Sequence, residues 1–375
     1  MTVTAKQLNR ATLERQLLLR RESIGVVEGV HRVVALQAQE AASPYLALWN
    51  RLSGFDPAAL DTAFARHAVV KASLMRLTLH AVHAEDYPAF HKVMVGPLRV
   101  SRLSDSRYTS TGLTAADADE FLPHLLEFAA QPRTKAEVEA LVESRLGLPQ
   151  PWLWWALRTC APLVHSPTGG PWSFGPRPSY VAAPAEPQQL DRDTSLQWLA
   201  RRYLQAFGPA SVQDLAQFSR LTRASARGAL RALPDTVRLV GPDGIELFDV
   251  LGAALPDEDT PAPPRLMAMW DSVLLAFADR SRVIPPDYRK LIIRPNGDVL
   301  ATLLVDGYVA GVWRPVEAGI EARAFHSLPD DAWSGLAAEA RALVAFLADR
   351  DPMVYRRYAR WWTKLPSAEV RLLPG

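Results

Sequence analysis

The sequence predicts a mainly α protein with β structure (α+β), built from three tandem winged helix-turn-helix motifs and a C-terminal strand-rich region. Three observations carry this reading. Residues 188–255 run helix, helix, turn, helix, hairpin. The same order stands about 78 residues upstream, in 116–187, and such internal repetition argues against coincidence. Residues 262–375 then change character, with strand-like runs around Asn296-Gly297 and Asp306-Gly307, two strong hairpin dipeptides.

Block 1–115 reads as the first and most divergent unit. Val26, Val30, Val33 and Val34 recur at helical spacing and mark one buried face, and Ser43-Pro44 is expected to open a second helix as N-cap and first residue. Asp56-Pro57 opens a third helix, and KASLMRLTLHAVH is expected to close the block as one strand. In block 116–187 the helix ADEFLPHLLEFAAQPR is followed by a capping box at Thr134 and Glu137, a stripe of Val138, Leu141 and Val142, the helix PWLWWALRTC, and LVHSPTGGPWSF as the wing. In block 188–255 a helix through SLQWLARRYLQAF stops at Gly208-Pro209. Ser211 with Asp214 caps the next helix, Thr222 caps the third, and TVRLVGPDGIELFDV folds back at Pro-Asp-Gly. Block 262–375 is expected to form a small antiparallel sheet or barrel, with a helix at about 331–349 and the tail VYRRYARWWTK docking through Trp361 or Trp362. Two Pro- and Gly-rich stretches, 166–189 and 254–264, read as linkers.

At 375 residues, 49% hydrophobic and 22% charged, the chain can bury more than one core, and disorder is not the reading. It shows neither a membrane-length apolar run nor a signal-peptide core near the start, so a cytoplasmic protein is expected. Cys160, the sole cysteine, lies in an apolar stretch and is expected in the core, which excludes internal disulfides and multi-thiolate zinc sites. His83 and His91 stand close in sequence, but there is no HExxH and no cysteine pair, so no metal and no cofactor are expected. Net charge is only +2, yet 36 of the 42 cations are arginines. Arginine's planar fork suits phosphate and base edges, although a genome rich in arginine codons gives the same bias.

Placement therefore matters more than number. Arg223, Arg227 and Arg231 fall four apart on one helix face, a basic ridge fit for a DNA groove or for plain solvation. In a continuous strand, Arg76, Thr78 and His80 would line one side, over a cleft or over solvent. Gln37 and Gln39 lie between two helices, where extended backbone would send both amides the same way. Two converging carboxamides do not titrate near neutrality. They can orient a water and offer oxygen dipoles to a developing cation, which suits a leaving group already activated, such as N7-alkylated guanine. Glu40 is the alternative chemist, as a general base, but its opposite parity aims it away. Capping of backbone groups is the structural alternative for both glutamines.

Four segments together, LNRATLERQLLLRR, LQAQE, RLTLHAVHAEDY and WDSVLLAFADRSRV, resemble the bacterial winged-helix DNA glycosylases, the family of the azinomycin-resistance enzyme and its enterobacterial relative. QAQ resembles that family's Gln-aliphatic-Gln catalytic motif. The resemblance implies catalysis by Gln37 and Gln39, a monofunctional enzyme, and double-stranded DNA carrying N7-alkylguanine lesions as partner, with crosslink unhooking in the resistance branch. It also implies a hairpin at the minor groove, for which Asn296-Gly297 is the candidate tip. A monomer acting at the nucleoid is expected. A winged-helix transcriptional regulator and a protein-interaction scaffold are the rival readings; tandem units within one chain are unlike the usual one-unit dimeric regulator. DRSR at 279–282 matches the family without a chemical role.

Overall fold

The computed structural model describes residues 1–184 and 191–374, with Asp243 described by its backbone alone. The end of the expected 166–189 linker and the block boundary at 187 lie outside the described residues. The fold is mixed α and β, with small sheets. Its first part holds α1 (Ala5–Arg15), α2 (Val26–Val33), β1 (Leu36–Gln37), α3 (Ser43–Trp49), α4 (Pro57–Ala65), β2 (Val69–Ser73) and β3 (Leu79–His83). Helices α5 (Tyr87–Leu103) and α6 (Ser106–Thr109) lead to α7 (Ala115–Phe128), β4 (Arg133–Thr134), α8 (Lys135–Leu146), α9 (Pro151–Cys160), β5 (Leu163–Ser166) and β6 (Ser179–Ala182). The third part is α10 (Arg192–Phe207), α11 (Val212–Ser219), α12 (Arg223–Ala232), β7 (Thr236–Val240) and β8 (Glu246–Val250).

One topology recurs through these parts. A short strand after the leading helix pairs with the second strand of the closing hairpin, giving the orders β1-β3-β2 and β4-β6-β5. In the third part a single bridge from Ala210 to Phe248, beside the β7–β8 hairpin, takes the place of the short strand. Local chemistry sets the helix starts: Asp56 caps α4, Thr134 with Glu137 and Ser211 with Asp214 form full capping boxes, and Thr222 caps α12. α10 ends at Gly208, as the Gly-Pro pair implies.

Four expectations are corrected. The segment KASLMRLTLHAVH is two strands, not one: β2 and β3 pair antiparallel with Val70 opposite Val82, and the chain reverses through a 3-10 turn at Met75–Leu77. Arg76 and Leu77 both take left-handed φ, 53° and 61°, which no side-chain periodicity announces. Ser43 is the first residue of α3, not its cap; Ala42 stands at that position, and the Ser43 hydroxyl instead meets the Tyr355 hydroxyl at 3.0 Å. The 17-residue α5 was not expected, because Gly96 and Pro97 weaken its local signal; its buried Phe90, Val93, Met94 and Leu98 hold it. Asn296-Gly297 is no strand hairpin, because the residues before it wind into α13 (Arg289–Ile292), leaving one bridge between Ile293 and Val299.

The C-terminal part is an open antiparallel sheet, not a barrel, in the order β13-β12-β11-β10-β9. Its strands are β9 (Arg265–Leu266), β10 (Thr302–Val305), β11 (Tyr308–Val316), β12 (Gly319–Ala324) and β13 (Glu369–Pro374). Asp306-Gly307 turns β10 into β11 as expected, with positive φ at both residues. α14 (Asp330–Ala348) covers the sheet, and a 3-10 segment, Arg356–Lys364, buries Trp362.

Two cores cross the block borders. One joins α3, α4 and the C-terminal sheet; the other joins α5, α7 to α9 and α10 to α12. The β1-β3-β2 sheet lies between them, with Leu36, Val69 and Ala81 in the first core and Val70, Ala72 and Val82 in the second. Any side chain on this sheet is thus fixed by packing on both faces, which gives a rigid mount for a site.

Candidate active site

Gln37 ends β1 directly opposite His80 on β3, the Ala38 N–H donates to the Leu79 carbonyl at 2.8 Å, and the chain then bends at Gln39 and Glu40. Leu36 and Ala38 are sealed in the first core. Gln37 lies on the other side of the strand, with His80, and Gln39 follows in the bend where the strand has ended. They differ in freedom. Gln37 is 4% exposed, whereas Gln39 is exposed and touches only the Leu79 N–H, at 3.5 Å.

The turn after β2 brings Arg76 onto Gln37. Arg76 Nη2 donates to Gln37 Oε1 at 2.6 Å and to His80 Nε2 at 3.1 Å. Because arginine only donates, the Gln37 atom facing it is the oxygen. His80 Nδ1 lies 3.1 Å from the Thr78 carbonyl, which only accepts, so Nδ1 carries the proton and Nε2 the lone pair. Burial and the neighbouring Arg76 hold the His80 pKa well below the usual histidine value, so the ring is neutral. The Arg76 guanidinium lies 5.4 Å from the Phe218 ring centroid on α11, and Nη1 is buried without a partner. Burial, with Arg280 nearby, pushes its pKa down to about 10.

Thr78 is half-buried and donates its hydroxyl to the Met75 carbonyl at 3.2 Å. Of the expected row, the Arg76 and His80 side chains meet through a turn instead of a strand face, while the Thr78 hydroxyl turns to the Met75 carbonyl and only its backbone carbonyl reaches His80. Sequence reasoning missed Arg280 as a neighbour of Arg76. In the same segment Arg282 stacks on Phe277 at 4.1 Å and donates to the Pro209 carbonyl at 2.8 Å, a packing role.

Glu40 points to the tail: its carboxylate accepts from Arg357 and, at 2.9 Å, from the Tyr358 hydroxyl. Arg223, Arg227 and Arg231 are exposed on α12 and, among the described residues, form no ion pair. Asn296 is exposed at its turn, its amide on Asp298 at 3.0 Å. Asp298 in turn accepts from Arg360 at 2.9 Å and from Trp361 at 2.7 Å, so the turn is tied to the tail.

His91 is buried against the Cys160 carbonyl at 3.3 Å, its pKa lowered to about 4 by burial, and is remote in role from His83. His83 lies instead beside His31 and Glu85, with ligand atoms within 4.8 Å of one another. A bound zinc would need such atoms roughly 3.3 to 3.5 Å apart. The Glu85 side chain is 79% exposed, and Arg202 acts on His31 with like charge. Cys160 is buried, which pushes its thiol up to about 11 and leaves it inert. Among the described residues no helix is long and apolar enough to cross a membrane.

Recurrent strand-and-hairpin units thus share two cores, and the sheet between those cores sets Gln37 against a half-buried Arg76. The fold is similar to that of Streptomyces sahachiroi DNA glycosylase AlkZ, with a TM-score of 0.76 at 20% identity over 92% of this chain and 96% of that one. In sequence the chain is 22% identical, over 340 residues, to the interstrand DNA cross-link repair glycosylase of Streptomyces sahachiroi, covering 84% of this chain and 89% of the relative. The family model for DNA glycosylase AlkZ-like proteins matches residues 30–346, and the chain belongs to this AlkZ-like DNA glycosylase family.

Proposed function

We propose that this DNA glycosylase hydrolyses the N-glycosidic bond of N7-alkylated guanine in duplex DNA and unhooks interstrand crosslinks formed through that atom. What supports the reading is Gln37, its oxygen held by Arg76 beside a neutral His80, two residues before the exposed Gln39. Neutral amides orient water and stabilise an oxocarbenium-like sugar; they do not protonate a leaving group. The substrate must therefore bring its own positive charge, as an N7-alkylguanine does.

The same reading makes the enzyme monofunctional. Lys71, a buried amine with a depressed pKa, faces the side opposite Gln37, since Lys71, Ala81 and Leu36 align across the sheet. A Schiff base with the sugar has no amine on the amide side. The three recurrent topologies act as winged-helix units, with α12 of the third presenting Arg223, Arg227 and Arg231 to phosphate. Arg76, Thr78, His80 and Asn296, read from sequence as DNA contacts, divide in this account: the first three support the site, and Asn296 flanks the DNA path. The protein works as a cytoplasmic, nucleoid-bound monomer in repair or self-resistance. A crosslinked base is tethered to both strands, so the enzyme acts in an open cleft without full base flipping.

Single-turnover assays on duplex containing N7-methylguanine, and on matched crosslinked duplex, test this. Base release that is lost in Gln37→Ala and Gln39→Ala supports the reading. Tight binding without release would return the chain to the regulator class, and a borohydride-trapped adduct would remove the monofunctional assignment.

A further inference from the structure

Gln37 has its oxygen committed to Arg76. That atom accepts the 2.6 Å bond from Arg76, and turning the amide over would set its NH2 against a guanidinium that has only donors. The carboxamide is therefore fixed with its oxygen on Arg76 and its NH2 turned off that contact. Gln39 carries no such lock; its oxygen has a single contact at 3.5 Å.

The lock is built at a cost. Arg76 is a half-buried cation that, among the described residues, makes no ion pair, and it leaves Nη1 without a partner. A desolvated charge without a counter-ion is unfavourable unless something compensates. Its backbone and that of Leu77 occupy the left-handed region, held there by Leu74 and Met75, both fully buried in the second core. Phe218 backs the guanidinium, and His80 accepts its second bond only because the ring is held as the neutral Nδ1–H tautomer by the Thr78 carbonyl. A phosphate contact would not need this arrangement, and the group that Arg76 does meet is Gln37.

We propose that Arg76 is a positioning residue that, steadied by His80 and Phe218, fixes the Gln37 amide so that it offers its NH2 to the attacking water and leaves Gln39 as the acceptor of the catalytic pair. This rests on the glycosylase reading above. The attacking water accepts from Gln37 Nε2 and donates one proton toward Gln39 Oε1. Its remaining lone pair meets C1′ as the C1′–N9 bond breaks and the base takes the bonding electrons, and the surplus proton passes to solvent.

The test is a double-mutant cycle in the full chain, read by single-turnover base release from N7-methylguanine duplex and by duplex affinity. Arg76→Met should slow release roughly 10- to 100-fold while leaving the dissociation constant within about twofold. In a Gln37→Ala background the same substitution should add almost nothing, and Arg76→Lys should recover part of the rate. Gln37→Glu, which lacks the donor, should be as slow as Gln37→Ala, whereas Gln39→Glu, which keeps an acceptor, should retain much of the activity. Multiplicative effects of Arg76→Met and Gln37→Ala, or an active Gln37→Glu, would overturn the assignment. Thermal unfolding of each variant separates a fold defect, which would slow release equally in both backgrounds. Full activity of Gln37→Ala is a different failure, that of the glycosylase site itself.

Discussion

Arg51 and Asp271 form a two-armed ion pair in the first core, Nη1 to Oδ2 and Nη2 to Oδ1, each at 2.8 Å, with both side chains wholly inaccessible. Arg51 follows α3, and Asp271 leads into the segment after β9, so the pair joins the part carrying the glutamine triplet to the C-terminal sheet. Removing one partner strands a buried charge. Asp271→Ala is expected to destabilise the protein by about 3 to 5 kcal/mol, seen as an earlier urea midpoint, while Arg51→Met with Asp271→Leu should recover most of that loss. A double variant as unstable as the single one would show that the pair itself, and not the orphaned charge, supplies the stability.

Lys71 gives a pH signature of known sign. Its amine sits 4.4 Å from the Phe174 ring centroid, and burial lowers its pKa from 10.5 to about 8, with Glu40 acting in the opposite sense. Between these two values the unfolded chain holds a proton that the folded chain has released. Stability contributed at this site therefore rises with pH across that window and is lowest below pH 8. Lys71→Met should raise stability near pH 7 by about 2 to 3 kcal/mol and flatten the rise above pH 8 in urea titrations.

The ridge on α12 is tested through salt. Each phosphate contact contributes about 0.9 to the slope of log affinity against log salt, so replacing Arg223, Arg227 and Arg231 by glutamine should flatten that slope by up to about 3. The three side chains are exposed and α12 buries Ala226, Ala229 and Leu230 on its other face, so melting temperature should hardly move. An unchanged slope would return the ridge to plain solvent.

What could be read in advance follows from where the information is local. Thr134 with Glu137, Ser211 with Asp214, and Asp56-Pro57 each carry their own hydrogen-bond partner within three residues, so those helix starts were legible. The extended start of the glutamine triplet was legible too, because a short link joins two helices, whereas the bend at Gln39 was not. The turn at Arg76 was not. Its left-handed residues are imposed by Leu74 and Met75 sinking into the second core, and a run of β-compatible residues looks the same whether or not it reverses. The approach of Arg280 to Arg76 spans over two hundred positions and leaves no trace in spacing.

Glu40 provides the sharpest contrast between mechanisms. If it were the general base, Glu40→Gln would abolish release. Its carboxylate is instead engaged by Arg357 and Tyr358 from the tail. The groups that do meet Gln37 hold one protonation state near neutrality: His80 is neutral because burial and Arg76 keep its pKa well below 6.5, and Arg76 stays charged up to about 10. Release from N7-methylguanine duplex is therefore expected to be flat from about pH 6 to about pH 8, in the wild type and in Glu40→Gln alike, with the variant within about threefold of the wild-type rate. A single-turnover pH profile measures this directly. Loss of release in Glu40→Gln would transfer the chemistry from the two amides to the carboxylate.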